Sequence, residues 1–145
     1  MKIYYQTKNF YTMNAFITYK EISDFIENEF KIRPKFVAVD EKSVELSYKP
    51  GAFLPAIGVT LHIDAMRKDV VCLSYDCSLA ASMLIAGVVG YLEEKIPSGI
   101  DVNTEDKRIN IYPLRFGQLE RVLEYVSLSD IHFGDDGVTV SLSLV

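Results

Sequence analysis

Alternation of hydrophobic and polar residues predicts that most of this chain is β-strand, arranged in successive hairpins. Val44, Leu46 and Tyr48 alternate with polar neighbours, and a short polar turn separates them from an extended segment at residues 36–39. Three further pairs of extended segments are predicted, at residues 59–65 with 71–75, 100–102 with 108–112, and 128–133 with 138–144. The pattern therefore predicts four hairpins.

Two of three predicted helices are amphipathic and lie near the two ends of the chain. Residues 18–21, Thr-Tyr-Lys-Glu, form a capping box in which two side chains satisfy free backbone N–H groups, which predicts a helix over residues 19–31. Another helix is expected to start at Pro113, where the missing N–H costs nothing. Its apolar face is expected to contain Phe116, Leu119, Val122, Leu123 and Val126.

The helix predicted over residues 79–92 is almost wholly apolar, interrupted only by Ser82. It is too short to cross a bilayer core, which requires about 20 residues. Such a helix has to be covered on nearly every side, by a curved sheet and its neighbours or by a second subunit. Ser82, Ala86 and Gly90 form a stripe of small side chains, which indicates close packing either on the chain's own sheet or in a symmetric helix-to-helix dimer contact.

The order of these elements, roughly α-ββ-ββ-α-ββ-α-ββ, predicts an α+β fold. We expect a mostly antiparallel sheet of six to eight strands with the helices gathered on one face. Residues 22–48 and 119–142 share a helix-hairpin order, so an internal repeat is a hypothesis, although convergence on a common unit explains it as well. A length of 145 residues predicts one domain.

Charge and cysteine content narrow the function classes. With 49% hydrophobic residues and a net charge of -5, the chain is a globular acidic protein. It contains no basic run that could follow a phosphate backbone, so nucleic acid is not expected as a partner. Two cysteines and no signal-peptide pattern predict a cytoplasmic location. Met13 precedes the first helix, so residues 1–12 are predicted to be a loose extension or to lie upstream of the real start codon.

Two His/Asp pairs are the weak candidates for a metal site. His62 and Asp64 lie two residues apart on one predicted strand, as do Asp130 and His132 on another, so each pair shares a face of the sheet. If those strands were neighbours, the four side chains could converge on a metal ion. The alternative is that both pairs lie on the solvent face, and we expect no metal and no cofactor.

Cys77 is a candidate nucleophile at the expected start of the apolar helix, together with Asp76 and a histidine brought in by folding. The alternative is a buried structural thiol beside the capping residues Asp76 and Ser78. No phosphate-binding, nucleophile-elbow or zinc-protease motif is present. No catalytic residue is therefore predicted.

The loop at residues 49–58 places Phe53 and Leu54 between prolines. They are expected either to cover the core or to form a rigid apolar contact for a partner or the rim of a ligand cavity. The favoured hypothesis is a non-enzymatic protein-interaction module, homodimeric, that binds through this loop, a helix surface or a sheet edge. The alternative is a carrier of a small apolar or lipid-like ligand between the sheet and the central helix.

Overall fold

The structure, a computed structural model, describes residues 1–5 and 12–144, without the side chains of residues 3–5. Within this part the strands are β1 (Lys2–Tyr5), β2 (Thr12–Thr18), β3 (Lys35–Asp40), β4 (Ser43–Tyr48), β5 (Ile57–Met66), β6 (Val71–Cys77), β7 (Ile100–Asn103), β8 (Arg108–Ile111), β9 (Val126–Phe133) and β10 (Gly137–Leu144). The helices are α1 (Tyr19–Phe30), α2 (Leu79–Tyr91) and the single turn α3 (Gly117–Glu120). Turns of 3-10 helix cover Glu93–Lys95, Pro113–Arg115 and Val122–Glu124.

The described strands form two antiparallel sheets. The four-stranded sheet has the order β1-β2-β10-β9, and the six-stranded sheet has the order β3-β4-β5-β6-β8-β7. All four predicted hairpins pair as expected, which confirms an α+β fold with mostly antiparallel strands. One sheet has six strands, and the terminal hairpin β9-β10 lies outside it, because β1 and β2 pair with that hairpin and form a second sheet.

Strands β1 and β2 are the elements that the sequence prediction missed. No clean apolar-polar alternation marks β2, because Phe16 is apolar and Asn14 is buried beside Ala15. Residues 2–5 pair antiparallel with β2, whereas residues 6–11 lie outside the described part. The hypothesis that translation starts at Met13 stays a prediction.

Helix α1 starts at the predicted capping box. The Thr18 hydroxyl oxygen accepts a hydrogen bond from the Glu21 backbone N–H at 3.0 Å. The helix ends at Phe30, one residue before the predicted end, because Lys31 adopts a left-handed conformation with φ 61°. The Ser23 hydroxyl then donates to the carbonyl of Pro34 at 2.8 Å, which holds the returning chain against the helix.

Tyr19, the first residue of α1, joins the two sheets. Its ring stacks on Phe36 of the six-stranded sheet with centroids 5.5 Å apart. Its hydroxyl donates to the carbonyl of Gly134 at 2.6 Å, and its backbone N–H donates to the carbonyl of Asp136 at 3.0 Å, both in the β9-β10 turn. Burial raises the pKa of Tyr19, and the nearby carboxylates of Asp135 and Asp136 add to the rise.

The third predicted helix is broken into three short pieces, so the prediction of one continuous helix up to Val126 is wrong. Phe116 is extended, with φ -92° and ψ 113°, between a 3-10 turn and α3. Its ring lies against Gly99, where an added Cβ would come within 2.3 Å of a ring carbon. This tertiary contact overrides the helical spacing of the sequence, and Leu119 and Val122 are exposed as a result.

The repeat hypothesis stays a prediction. Helix α1 has 12 residues and α3 has 4. The hairpins that follow them, β3-β4 and β9-β10, belong to different sheets. The correspondence therefore extends to the hairpins and not to the helices.

We predict that Gly137→Ala destabilises the protein by about 1–3 kcal/mol, the usual range for overpacking. An added Cβ at this position, the start of β10, would lie 2.2 Å from the carbonyl oxygen of Ile17 in β2. Denaturant unfolding measures the difference. Gly134→Ala is the matched control, because its Cβ would meet the nearest atom at 3.6 Å; equal effects of the two substitutions would contradict the packing of β10 on β2.

Candidate functional site

Helix α2 lies over the apolar face of the six-stranded sheet and is the centre of the candidate site. The hydroxyl oxygen of Ser78 accepts a hydrogen bond from the N–H of Ala81 at 3.2 Å and caps the start of the helix. The predicted helix is thus confirmed, with Tyr91 as its last residue. Among the described residues, no helix has the length and apolarity that crossing a membrane requires.

The outer side of α2 is uncovered. Leu79, Met83 and Tyr91 are 79%, 71% and 85% exposed, whereas Ala81 is buried. The prediction that the helix is covered on nearly every side is therefore wrong within a single chain. Even on the side towards the six-stranded sheet, Leu84 and Val88 are 46% and 39% exposed, and α1 packs against β2, β3 and β10.

The stripe of small residues is not pressed against the chain's own sheet. Ser82 is half-buried, whereas Ala86 and Gly90 are exposed. An added Cβ at Gly87 or Gly90 would meet no atom within 4 Å, so neither glycine is required by a close contact inside the chain. Two glycines in a helix cost about 1 kcal/mol each relative to alanine. Packing on the chain's own sheet therefore does not explain the stripe of small residues. The other explanation, contact with a second helix in a dimer, stays a prediction.

An apolar cleft separates α2 from the six-stranded sheet. Its volume is about 350 Å³. Aliphatic side chains of both elements line it, among them Leu46, Val59, Leu61, Leu84, Val88 and Ile109. The cleft lies between the sheet and the central helix, which is the position predicted for a ligand cavity under the second functional hypothesis.

The loop at residues 49–58 does not cover the core. Phe53 is fully exposed at 101%, and Leu54 is 55% exposed. The structure therefore contradicts the first alternative for this loop, in which Phe53 and Leu54 cover the core. The second alternative, in which they form a contact for a partner or the rim of a ligand cavity, stays a prediction.

The two His/Asp pairs do not come together. Strand β5, which carries His62 and Asp64, belongs to the six-stranded sheet, whereas β9, which carries Asp130 and His132, belongs to the four-stranded sheet. Within the described part of the chain, no three His, Cys, Asp or Glu side chains are grouped so that they could hold a metal ion. Strand order, which a single sequence does not reveal, separates the pairs.

His62 lies in a row of polar side chains across the outer face of the six-stranded sheet. Its Nδ1 is 2.7 Å from the Ser43 hydroxyl on β4, and its Nε2 is 2.9 Å from an Asp76 carboxylate oxygen on β6. Asp64 accepts a hydrogen bond from the Ser74 hydroxyl at 3.0 Å. Ser43 is buried, so its hydroxyl is closed to a substrate. The row therefore holds three strands together and offers no open nucleophile.

Cys77 does not join this row. It follows Asp76 directly on β6, and successive side chains of a strand point to opposite faces. Asp76 pairs with His62, so the imidazole is on the face opposite the thiol. The Cys-His-Asp nucleophile considered from the sequence is not assembled, whereas Ser78 does cap α2 as its structural alternative required.

Asp130 belongs to the joint between the two sheets, and His132 lies beside it with its Nδ1 3.3 Å from an Asp130 carboxylate oxygen. Lys42, in the β3-β4 turn, donates hydrogen bonds to the Asp130 carboxylate and, at 2.7 Å, to the carbonyl of Ile131. The N–H of Phe133 donates to the carbonyl of Glu41 at 2.8 Å. The hydrogen bond from Lys42 lowers the pKa of Asp130, despite partial burial that acts in the opposite direction. Sequence reasoning missed Lys42, because its contact depends on how the sheets meet.

Comparison of the chain with protein-family models, curated proteins and solved structures found no match.

We predict that Asp130→Asn lowers the free energy of unfolding at pH 7 by up to about 1 kcal/mol, since both ends of the ion pair are nearly half exposed. A carboxyl group whose pKa is lower in the folded state than in the unfolded state stabilises the protein at pH values above the unfolded-state pKa, which is about 3.9. That contribution is lost as the pH falls through the folded-state pKa. Denaturant unfolding from pH 7 to pH 2 should therefore show the two proteins converging below about pH 4.

Asp69→Asn is the matched control for this ion pair. Asp69 is exposed in the β5-β6 turn and has no ion pair among the side chains that the structure describes. Its replacement should change stability by less than about 0.5 kcal/mol at pH 7. A deficit of Asp130→Asn that is as large at pH 2 as at pH 7 would contradict the assignment of the effect to the ion pair.

Proposed function

We propose that this chain is a non-enzymatic interaction module that forms a homodimer through the outer side of α2. The observation that carries the proposal is the exposed apolar surface of α2, on which Leu79, Met83 and Tyr91 are 79%, 71% and 85% exposed. Apolar side chains that are exposed side by side on one element mark interaction sites on proteins.

The chemistry of α2 favours a second copy as the occupant of this surface. No charged residue lies between Leu79 and Leu92. Two chains that each carry a net charge of -5 can therefore meet here without bringing carboxylates together. A two-fold contact places the same patch of both protomers face to face. Apolar residues dominate such obligate interfaces, and the outer side of α2 meets this requirement.

The glycines of α2 support a close helix-to-helix contact. Gly87 and Gly90 have open space around them in the single chain. A facing helix can approach the backbone at these positions more closely than at any larger side chain. This accounts for helix-weakening residues that no contact within the chain requires.

We predict that the purified protein has twice the chain mass of 16.4 kDa in light scattering. The double substitution Leu79→Glu with Met83→Glu should weaken the dimer at least about a hundredfold, because buried carboxylates without partners cost about 2 kcal/mol or more each. Sedimentation at several concentrations measures the dissociation constant, and circular dichroism checks that α2 is retained.

Phe53→Glu is the control for this experiment, since Phe53 is as exposed as the α2 residues but lies in the loop. It should leave the dimer intact. A dimer that Phe53→Glu dissociates and the α2 substitutions do not would move the interface to the loop. A wild-type chain that stays monomeric at high concentration, with α2 in water, would overturn the proposal.

We predict opposite effects of Gly87→Ala and Gly90→Ala on the fold and on the dimer. In the dissociated chain each should stabilise α2 by up to about 1 kcal/mol, because alanine favours a helix and open space surrounds both positions. In the dimer the added methyl groups should raise the dissociation constant. Unfolding at low protein concentration and sedimentation at high concentration measure the two effects; unchanged dimerisation with both substitutions would remove the glycines from the interface.

A second function, binding of a small apolar ligand, is supported by the cleft under α2. Its volume of about 350 Å³ lies within the range of about 300–1,000 Å³ that is usual for small-molecule sites. Leu84 and Val88 line the cleft from the side of α2 that borders the sheet. The outer residues Leu79 and Met83 are not among its lining residues, so the cleft and the dimer contact use different sides of one helix.

A further inference from the structure

Strand β7 forms one edge of the six-stranded sheet, and its outer side has no neighbour among the strands that the structure describes. The Tyr112 N–H donates a hydrogen bond to the Gly99 carbonyl at 2.7 Å. In an antiparallel pair, residues that bond to the partner strand alternate with residues that do not. Asp101, two residues after Gly99, therefore bonds to β8, whereas Val102 points its N–H and C=O groups away from β8.

The other side of β8 supports this assignment. The Tyr75 N–H of β6 donates to the Lys107 carbonyl at 3.0 Å, so the same alternation makes Ile109 bond to β6. Ile109 is the residue opposite Val102, and its backbone groups are already used on the β6 side. Among the described residues, no backbone hydrogen bond therefore satisfies the N–H or the C=O of Val102.

A groove with a volume of about 400 Å³ lies between β7 and α2. Ile100 and Val102 line it from β7, and Ala86 and Gly90 line it from α2. The small size of these two α2 residues leaves the groove open. Residues opposite each other on neighbouring strands have their side chains on the same face of the sheet. In a strand added to the free edge of β7, the side chain opposite Val102 would therefore point into this groove.

The free edge of β7 has carboxylates on both faces of the sheet. Glu93 lines the groove, and Asp101 points to the opposite face, because successive side chains of a strand alternate. Neither has an ion pair among the side chains that the structure describes. No Lys or Arg is among the described residues that line the groove. Basic side chains in an added strand would complement this charge.

We propose that the free edge of β7 binds an extended segment of a partner protein, in which apolar and basic residues alternate, as an additional strand of the sheet. The apolar side chain opposite Val102 enters the groove, and its basic neighbours lie on the face that carries Asp101. Backbone hydrogen bonds supply affinity and the groove supplies specificity, as in other cases of strand addition. This proposal goes beyond the α2 dimer and does not depend on it, since Leu79 and Met83 do not line the groove.

The first test measures binding of the peptide Lys-Val-Lys-Val-Lys-Val-Lys to the full chain by isothermal titration calorimetry. Its matched control is the same peptide N-methylated at each valine, which has the same charge but cannot donate to the carbonyls of Ile100 and Val102. The control should bind at least about tenfold more weakly, since backbone hydrogen bonds contribute about 1 kcal/mol each. Equal binding of the two peptides would overturn the proposal, because charge alone would explain it, and so would binding of neither.

The second test compares Val102→Pro with Asp101→Pro. Proline lacks an N–H and is tolerated in a sheet only where that N–H would face away from the neighbouring strand. Val102→Pro should therefore keep the fold and weaken the peptide at least about fivefold, whereas Asp101→Pro should lower the free energy of unfolding. Circular dichroism and denaturant unfolding measure the fold. Equal destabilisation by both substitutions would overturn the proposal, because the Val102 N–H would then not lie at a free edge.

The third test fills the groove without touching β7. Ala86→Leu introduces a large side chain at an exposed helix position that lines the groove. It should retain the fold, since leucine favours helices, and weaken the peptide at least about fivefold. Ala80→Leu is the matched control, because Ala80 is exposed on the same helix but does not line the groove. Unchanged affinity in Ala86→Leu would contradict the proposed position of the peptide.

Sedimentation distinguishes a partner segment from a second copy of the chain at this edge. The proposal predicts that Val102→Pro leaves the oligomeric state of the wild type unchanged. A dimer that Val102→Pro dissociates, and that Leu79→Glu with Met83→Glu does not, would overturn the proposal in favour of a sheet that continues through a second copy. Peptide binding by a monomeric wild type would support the proposal and overturn only the α2 dimer.

Discussion

The structure depends on a mismatch between an apolar helix and the sheet that has to cover it. A sheet buries one side of a helix, and α2 is apolar on nearly all sides. Within the single chain Ala81 is buried, whereas Met83 and Tyr91 lie in water. Because water penalises exposed apolar area by about 25 cal/mol per Å², this arrangement favours any molecule that covers the helix. Both proposed functions, dimer formation and ligand binding, follow from this single constraint.

The two sheets meet at a small polar joint rather than across a broad hydrophobic core. Tyr19 reaches the β9-β10 turn through two hydrogen bonds and stacks on Phe36, and Lys42 reaches β9 from the β3-β4 turn. Asp130, which the sequence pattern offered as a chemical candidate, serves this joint through its ion pair with Lys42. His62, another such candidate, bridges Ser43 and Asp76 on the neighbouring strands.

The hairpins and the starts of α1 and α2 could be predicted because each depends on residues close in sequence. Alternation with a period of two is a local property of a strand, and a cap such as Thr18 or Ser78 bonds to an N–H three residues away. The prediction of a continuous third helix was wrong because the ring of Phe116 packs against Gly99, which is distant in sequence. The same limit applies to the candidate site: its helix and its apolar loop were predicted, but the residues of β4, β5 and β8 that line the cleft with α2 come together only in the folded sheet.

The amino-acid sequence by itself determined the fold class, the apolar character of residues 79–92 and the lack of charge along α2, because these follow from residue type and local spacing. Only the tertiary structure decided that ten described strands divide into two sheets, that the His/Asp pairs lie apart, and that one side of α2 stays in water while a cleft opens beneath the other. The physical reason is that strand order and the cover over a helix arise from contacts between distant segments, and hydrophobic periodicity does not encode which segments those are.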